Sequence, residues 1–310
     1  MSEIPHVLVI GAAAIDTKGI AQRDEVRYGL SNPGKIRISE GGVGRNIAEN
    51  LTRLGIHVTL ISAVGDDGSG RRILRQAEES GIDTSHILVT PESNTGAYIA
   101  LFGQGGDLLL SMYDMSVMDH ITPRYIYDRR RLFRQASFVV IDANVPIPTL
   151  DMIFKLVQQY RVPVCADPTS VELASRLEPH LPSLYMVTPD CEEAQVLAHM
   201  PISNELDAIE AAKKLVAQGV RIAIVTMAEQ GACFATSEIS GRIPAIETEV
   251  VDRTGAGDAM TATVVFGLLH NFSVDEAIRL GASAASLTLR CRETVCPELS
   301  LERLYDNLII

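Results

Sequence analysis

The sequence lacks three features that would each indicate a different class of protein. No apolar run approaches the roughly 20 residues that a helix needs to cross a bilayer. The five cysteines show neither CxxC spacing nor neighbouring histidines, which favours reduced thiols over a disulfide frame or a zinc site. Positive charge is scarce, since the formal net charge is -12 and the pI is near 5.1. We therefore expect a cytoplasmic protein that binds a small molecule and neither nucleic acid nor membrane.

The chain has no long linker, internal repeat or low-complexity run. Its 310 residues are 46% hydrophobic, which is enough for a large core, and we predict a single domain over residues 1–310. Short apolar runs, such as residues 7–10 and 58–62, alternate with segments of helical periodicity, such as residues 45–54. This order predicts an α/β fold in which helices cover both faces of a mostly parallel sheet.

Two segments break the alternation, at about residues 15–40 and 95–116. The first is rich in glycine and polar residues, and the second contains two apolar runs around a glycine-rich turn, which predicts a hairpin. We predict that both segments form a small β lid over a pocket. Because an exposed sheet face often pairs with a second copy, we also expect a homodimer through the lid.

The most informative motif lies near the carboxyl end, where residues 252–258 read DRTGAGD before an apolar run at residues 259–269. The run predicts a buried helix beginning near Gly255, and the unpaired amides at its start favour an anion. The small residues Gly255, Ala256 and Gly257 would let a phosphate approach the backbone, beside Asp258 as a base. At a helix start Asp258 should be stabilised as an anion and hence be a weak base. The alternative is a tight turn with an acidic residue that complements the helix dipole.

A second motif, GGVGRN at residues 41–46, contains GxG but lacks the third glycine of the dinucleotide fingerprint. Gly41 and Gly42 would let the backbone approach a ligand that Asn46 could hydrogen-bond; the alternative is a turn and a helix cap. Asp16 follows the first strand at the expected carboxyl edge of the sheet, where it could hold a sugar diol or be a solvated turn residue.

A third pattern, GLSNPGK at residues 29–35, matches the GxxxxGK part of a P-loop. Ile36 lacks the hydroxyl that a P-loop uses for Mg²⁺, and Pro33 lacks an amide proton. Residues 36–38 alternate like a strand instead of starting a helix, so we do not expect a P-loop here.

Together, residues 41–51 and 252–258 resemble the two signatures of the ribokinase-like (PfkB) carbohydrate and nucleoside kinases. The resemblance covers essentially the whole chain. It implies a ribokinase-like, Rossmann-type αβα sandwich with a small β lid, ATP as phosphoryl donor and Mg²⁺ as metal. The implied reaction is phosphorylation of the 5′-hydroxyl of a ribosyl substrate.

Longer-range features resemble the pseudouridine kinases of this family, namely residues 31–36, Asp114-Met115, Asp142-x-Asn144 and residues 293–300. Pseudouridine is therefore the first candidate substrate. Another nucleoside or a ribose-type sugar is the closest alternative, and a nucleoside-binding sensor without catalysis is a more distant one.

The resemblance also implies roles for individual residues. The implied set is Asp258 as catalytic base with Gly255, Ala256 and Gly257 as anion hole; Asp16, Gly41, Gly42, Asn46 and Asn144 for the substrate; Asp190, Thr226, Ala228 and Gly231 for the nucleotide; Glu193 for Mg²⁺ through water; and Asp252 with Thr254 for a monovalent cation such as K⁺. For the base of the nucleoside, Thr95, Asp114 and Asn144 are polar candidates, each equally a turn or cap residue.

Three positions depart from the family pattern. Asp190 stands where the family has Asn and cannot donate the amide hydrogen bond, and Ala228 stands where Gly is common in the ATP loop. Residues 290–293 lack the glycine-containing turn that many members have near the cation, which makes potassium dependence doubtful.

Overall fold

The computed structural model describes residues 5–22 and 26–308 and contains a nine-stranded and a four-stranded sheet. The large sheet has the order β13-β12-β11-β10-β9-β8-β1-β4-β5. Its strands are β1 (His6–Ile10), β4 (His57–Gly65), β5 (Ile87–Thr90), β8 (Phe138–Asp142), β9 (Val164–Asp167), β10 (Met186–Val187), β11 (Ile222–Thr226), β12 (Ala232–Ala235) and β13 (Ser240–Ile243). Neighbouring strands from β5 to β11 are parallel, and β12 and β13 are added antiparallel.

Helices cover both faces of the large sheet and bury two apolar clusters against it. They are α1 (Val43–Arg53), α2 (Gly68–Glu79), α3 (Pro123–Asp128), α4 (Arg130–Gln135), α5 (Ile147–Tyr160), α6 (Val171–Ala174), α7 (Cys191–Ala198), α8 (Glu205–Ala217), α9 (Ala256–Leu269), α10 (Val274–Leu289) and α11 (Leu301–Leu308), with 3₁₀ segments at Ser116–His120, Ser175–Ser183 and Ala228–Gln230. The central strands are buried along almost their whole length and are mostly apolar, because both of their faces are covered. The predicted αβα sandwich with a mostly parallel sheet is confirmed.

The small sheet consists of β2 (Ala14–Ala21), β3 (Gly34–Gly41), β6 (Gly96–Phe102) and β7 (Leu108–Asp114), in the order β3-β2-β6-β7. Strand β2 pairs antiparallel with β3 and parallel with β6, and β6 and β7 form the predicted hairpin. Residues 34–41 form a strand, so the GxxxxGK pattern is not a P-loop. Residues 23–25 of the predicted lid lie outside the described residues.

The two faces of the small sheet differ in character, as the two-residue period of a strand allows. Asp16, Tyr98 and Tyr113 are in register on one face. The opposite face carries exposed apolar side chains, namely Ile36, Ile38, Ile99, Leu101, Leu110 and Met112. One face of the small sheet therefore carries polar and aromatic side chains, and the other face exposes apolar side chains to solvent.

Helix α9 is apolar on all sides because α1 and α10 pack against it and it lies in the second apolar cluster. In the part of the chain that the structure describes, no helix is both long and apolar enough to cross a membrane. The loops that precede α1 and α9 bring the two sequence signatures together.

Candidate active site

The start of α9 has the conformation that its sequence predicts. The cap residue Gly255 has φ +86°, and a β-carbon there would overlap the carbonyl oxygen of Thr294, so glycine is required. At Gly257 a β-carbon would meet no atom within 4 Å, which leaves the first turn open to a ligand. The predicted helix start near Gly255 is confirmed, and no side chain of the described residues caps it by a hydrogen bond.

Asp258 and Asn46 join the two signatures across 212 residues. The Asn46 Nδ2 donates to Asp258 Oδ2 at 2.6 Å, and both side chains are buried. Burial raises the pKa of Asp258 to about 7, and Asp142 and Asp16 add to it, while Asn46 and Arg45 act in the opposite direction. The expectation of a weak base was wrong, because loss of hydration outweighs the stabilisation that a helix start gives a carboxylate.

The amide of Asn46 is held in one orientation by Arg45 and Thr294. Arg45 is 1% exposed and donates to the Thr294 hydroxyl at 2.8 Å and to the carbonyls of Glu40 and Gly41 at 3.1 Å. The Asn46 Oδ1 accepts from both Arg45 and the Thr294 hydroxyl. Because its oxygen is occupied by donors, the amide nitrogen must face Asp258. We did not predict Arg45 or Thr294 as site residues, although Arg45 lies inside the first signature.

Asp16 lies on β2 with a buried carboxylate that accepts no hydrogen bond among those found for residues 5–22 and 26–308. Burial raises its pKa to about 6, against the effect of Lys18 and Arg45. Gly41 lies against it, and a β-carbon there would overlap the carboxylate. Gly42 has φ +92°, and a β-carbon there would overlap the carbonyl oxygen of Ala12. Gly41 thus leaves room for Asp16, and Gly42 lets the chain pass close to the backbone of Ala12. Among the described residues, the Asp16 oxygens remain available to hydroxyl groups.

Asn144 lies at the carboxyl end of β8, beside Asp142. Its backbone N–H donates to Asp142 Oδ1 at 3.0 Å, while Asp142 Oδ2 accepts from the amides of Ala12 at 2.7 Å and Gly44 at 3.0 Å. Asp142 therefore ties the end of β1 to the start of α1 and so positions Asn46. The predicted substrate role of Asn144 stays a prediction.

The other two polar candidates for contacts to the base have structural partners. The Thr95 hydroxyl donates to Asp67 at 2.8 Å and accepts from the Gly65 amide at 2.9 Å, beside the start of α2. Asp114 accepts from the Ser116 amide at 2.9 Å in a turn. The turn-and-cap interpretation therefore describes both residues.

A cleft of about 720 Å³ adjoins the start of α9. Its lining includes the four residues predicted for the nucleotide, Asp190, Thr226, Ala228 and Gly231, together with Ala256 and Gly257 of the anion hole. Apolar side chains from α9 and α10 form its far wall. Its size is that of an ordinary small-molecule site.

Asp190 and Glu193 form a capping box at the start of α7. The Asp190 Oδ1 accepts from the Glu193 amide at 2.8 Å, and Glu193 Oε2 accepts from the Asp190 amide at 2.9 Å. An aspartate performs this capping as well as an asparagine would. One oxygen of Glu193 remains available for a further partner.

Buried carboxylates cluster around this point. Burial raises the pKa of Glu193 to about 7, with Asp190 and Asp258 adding to it, and raises the pKa of Asp167 well above its ordinary value. In the described part of the chain, no group of three or more His, Cys, Asp or Glu side chains is arranged to hold a metal by itself. A hydrated Mg²⁺ shared with phosphate oxygens fits these residues, because a cation would relieve the repulsion among their carboxylates.

Two non-glycine residues that follow parallel strands at the carboxyl edge of the large sheet have left-handed backbone. Ala228 has φ +48°, in the position where the family commonly has glycine, and Thr169 has φ +68° just after β9. The hydroxyls of Thr169 and Ser170 are buried without a partner in the described residues. Strain and unsatisfied hydroxyls at one sheet edge are typical of functional sites.

The two residues predicted for a monovalent cation contact a lysine that the sequence analysis did not single out. Lys18 Nζ donates to both carboxylate oxygens of Asp252 at 2.7 Å and to the Thr254 hydroxyl at 2.6 Å. The two-residue period of β2 could have indicated Lys18, since it shares a face with Asp16.

With this geometry established, comparison with known proteins defines the fold and then the family. The fold is that of ribokinase: the chain matches Arabidopsis thaliana ribokinase, complexed with ribose and ATP, with a TM-score of 0.79 at 21% identity, covering 99% of each chain. Residues 5–299 match the model of the pfkB family of carbohydrate kinases, and the chain belongs to that family.

Two relatives phosphorylate nucleosides, according to their names. The chain is 33% identical over 304 residues to the pseudouridine kinase of Escherichia coli (strain K12), covering 97% of this chain and 96% of that one. It is 28% identical over 299 residues to the guanosine-inosine kinase of Exiguobacterium acetylicum, covering 94% and 97%. The protein is therefore a phosphotransferase with an alcohol group as acceptor, a sugar or nucleoside kinase.

Proposed function

We propose that the protein transfers a phosphoryl group from ATP to the 5′-hydroxyl of a ribosyl nucleoside, with pseudouridine as the substrate. The hydrogen bond between Asn46 and Asp258 is the observation that carries the proposal. It joins the acceptor side of the site, with the free carboxylate of Asp16, to the helix start that faces the cleft.

Asp258 would accept the proton of the attacking hydroxyl. A base with a pKa near 7 is well matched to work at neutral pH. The amides of Ala256 and Gly257 would stabilise the charge of the transferred group, which dominates the barrier in phosphoryl transfer. Asp16 would hold the ribose diol, because its buried oxygens accept no hydrogen bond from residues 5–22 and 26–308.

The cleft beside α9 is the proposed ATP site, and it ends at the same amides. The ribose and ATP bound in the Arabidopsis ribokinase support a ternary complex of this kind. Glu193 and Asp190 would hold Mg²⁺ through water, and the ion would supply charge neutralisation for the phosphates. Asp252 and Thr254, the residues expected to bind K⁺, contact the ammonium of Lys18 instead.

A nucleoside is favoured over a free sugar by the similarity to two nucleoside kinases and by the small sheet. Tyr98 and Tyr113 are in register with Asp16, so two phenol rings lie on the face that carries the proposed ribose ligand. Aromatic side chains with a polar end suit a stacked and hydrogen-bonded base. The small sheet is therefore the proposed lid of the single domain.

The test is a substrate panel of pseudouridine, uridine, inosine, guanosine and ribose with ATP and Mg²⁺, read by ADP production. We expect kcat/KM for pseudouridine to exceed the others by at least about tenfold, since a misfitted polar base leaves groups unpaired. A larger value for inosine, uridine or ribose would reassign the substrate within the family. Ligand binding without any ADP production would support the sensor alternative.

We also propose a homodimer through the exposed apolar face of the small sheet. Ile36 is 74% exposed and Met112 is 65% exposed on that face, and an apolar patch of this kind is typical of an interface. Light scattering should give twice the mass of 33.6 kDa. The Ile36→Glu variant should shift the mass toward the monomer, and a monomeric wild-type protein would disprove the dimer.

We place the reaction in the cytoplasm, where ATP is present. All five cysteines are free thiols, which fits a reducing compartment.

A further inference from the structure

The ammonium group of Lys18 has a complete set of partners from a distant part of the chain. Its three donors meet three oxygens, two from Asp252 at 2.7 Å and one from Thr254 at 2.6 Å. Lys18 is only 6% exposed although it lies on the small sheet. Burying an unpaired ammonium would destabilise the folded protein. The contacts of Lys18 with Asp252 and Thr254 are therefore needed for Lys18 to be buried.

The partners of Lys18 lie immediately before the anion hole. Asp252 Oδ1 also accepts from the Thr254 amide at 3.0 Å, which fixes the turn that leads into Gly255. Lys18 therefore joins the strand that carries Asp16 to the segment that carries the helix start. The acceptor side and the anion hole are linked here a second time, independently of the bond between Asn46 and Asp258.

The ammonium of Lys18 is the main positive charge beside the carboxylate of Asp252. Among the described residues, the buried cationic side chains are Lys18 and Arg45, and Arg45 is paired with Glu49 at 2.5 Å. Arg37 lies 3.9 Å from Asp252 and its side chain is 42% exposed, so it is a weak substitute. Hydrogen bonding to Lys18 helps to keep the pKa of Asp252 below its ordinary value.

We propose that Lys18 is a positioning residue for phosphoryl transfer. Its ammonium is a built-in cation that fixes residues 252–254, aligns the anion hole with the acceptor hydroxyl and makes an added monovalent cation unnecessary. The inference rests on the proposed kinase function, and it names a residue that controls geometry without contacting the reacting atoms.

The kinetic test uses Lys18→Met, which keeps the unbranched side chain up to the position of the ammonium and removes the ammonium with its charge. We expect kcat to fall about 10- to 100-fold with KM changed less than about threefold, because small misplacements of the reacting groups lower the rate strongly. Ammonium or potassium chloride should restore at least about tenfold of the lost kcat, relative to tetramethylammonium chloride at equal ionic strength. Wild type should show no such cation effect.

A matched control is Lys155→Met, since Lys155 is an exposed lysine on α5, outside both the small sheet and the cleft. It should keep wild-type kcat and show no response to the cations. Near-normal kcat in Lys18→Met, an equal effect of all three salts on that variant, or potassium dependence of the wild type would each overturn the proposal.

A second readout does not depend on turnover. Ammonium should raise the melting temperature of Lys18→Met more than tetramethylammonium does, and it should not do so for wild type. If wild type phosphorylates none of the panel substrates, the proposed function fails, and this shift alone decides whether the three oxygens form a cation site. Absence of the shift would overturn the built-in cation.

Discussion

The acceptor side of the site and the nucleotide cleft are built in opposite ways. Around Asp258 the side chains are buried, charged and mutually hydrogen-bonded, and Asn46, Arg45 and Thr294 each have a fixed partner. The cleft is open, and most of its exposed lining is apolar, although Glu192, Glu229 and Arg253 also lie along it. The difference separates two tasks. Buried charges set the pKa values and the orientation of the reacting groups, whereas the open, mostly apolar cleft binds the nucleotide without changing the pKa of a reacting group. Substitutions on the acceptor side should therefore change rate and pH dependence, and substitutions in the cleft should change little else than affinity.

The largest expected effect is that of Asp258→Asn on the rate. The variant keeps an acceptor for the Asn46 amide but cannot take a proton, so kcat should fall by at least about 10²-fold while nucleoside binding stays nearly intact. Steady-state kinetics and calorimetric titration of the nucleoside measure the two quantities. The surface variant Asp275→Asn on α10 is the control and should be unchanged. Near-normal turnover of Asp258→Asn would remove the residue from its proposed role.

The same variant should be more stable than wild type at high pH. Because the folded pKa of Asp258 is raised from 3.8 to about 7, its ionised form destabilises the folded state above pH 7 and costs nothing once pH is below the unfolded pKa. The free energy of unfolding of Asp258→Asn should exceed that of wild type by about 2–4 kcal/mol at pH 8, and by less than half of that at pH 5. Urea unfolding at both pH values measures it.

The exposed Asp66, whose side chain is 61% exposed, supplies the control. Asp66→Asn should differ from wild type in its free energy of unfolding by the same small amount at both pH values. If Asp258→Asn were no more stable than wild type at pH 8, burial would not raise the pKa of the Asp258 carboxylate in the folded protein.

Asp16→Ala should act mainly on substrate affinity. Losing hydrogen bonds from two hydroxyls to a carboxylate costs about 1.5–3 kcal/mol, which corresponds to a rise in KM of roughly 10- to 150-fold. KM for ATP should change little, because Asp16 lies on the small sheet away from the cleft. An unchanged KM for the nucleoside would exclude Asp16 from the site. The variant should also discriminate less than wild type between the nucleoside and its 2′-deoxy analogue, because the 2′-hydroxyl no longer has a carboxylate partner.

The wild-type enzyme should lose activity on the acidic side of neutrality. Both carboxylates must be ionised, so kcat/KM for the nucleoside should fall about tenfold per pH unit below the pKa of Asp258 near 7. The slope should steepen below pH 6, where Asp16 also becomes protonated. In Asp16→Asn the steeper part should disappear while the break near 7 remains. A flat profile down to pH 5 would show that neither pKa is raised in the free enzyme.

Features of the fold and site that depend on local sequence can be predicted, whereas features that depend on contacts between distant segments cannot. The alternation of apolar runs and helical periodicity predicts the large sheet, and the glycines of residues 255–257 predict the open helix start, because both depend on local chemistry. The pKa of Asp258 and the pairing of Lys18 with Asp252 depend on which segments pack together, and those segments are more than 200 residues apart. Periodicity on β2 places Lys18 beside Asp16 but does not name its partner.

The cleft should give the smallest effect, and Ala228 tests this. Its φ of +48° disfavours alanine by about 1–2 kcal/mol, and part of that gain is lost to the greater freedom of an unfolded glycine, so Ala228→Gly should stabilise the fold by about 0.5–1 kcal/mol. KM for ATP should change less than about twofold, since the cleft holds the nucleotide by shape. Ala217→Gly at the exposed end of α8 is the matched control, and it should destabilise by a similar amount because its backbone is helical. A large change in kcat for Ala228→Gly would contradict the separation of tasks, because it would mean that the nucleotide loop also sets the geometry of the reacting groups.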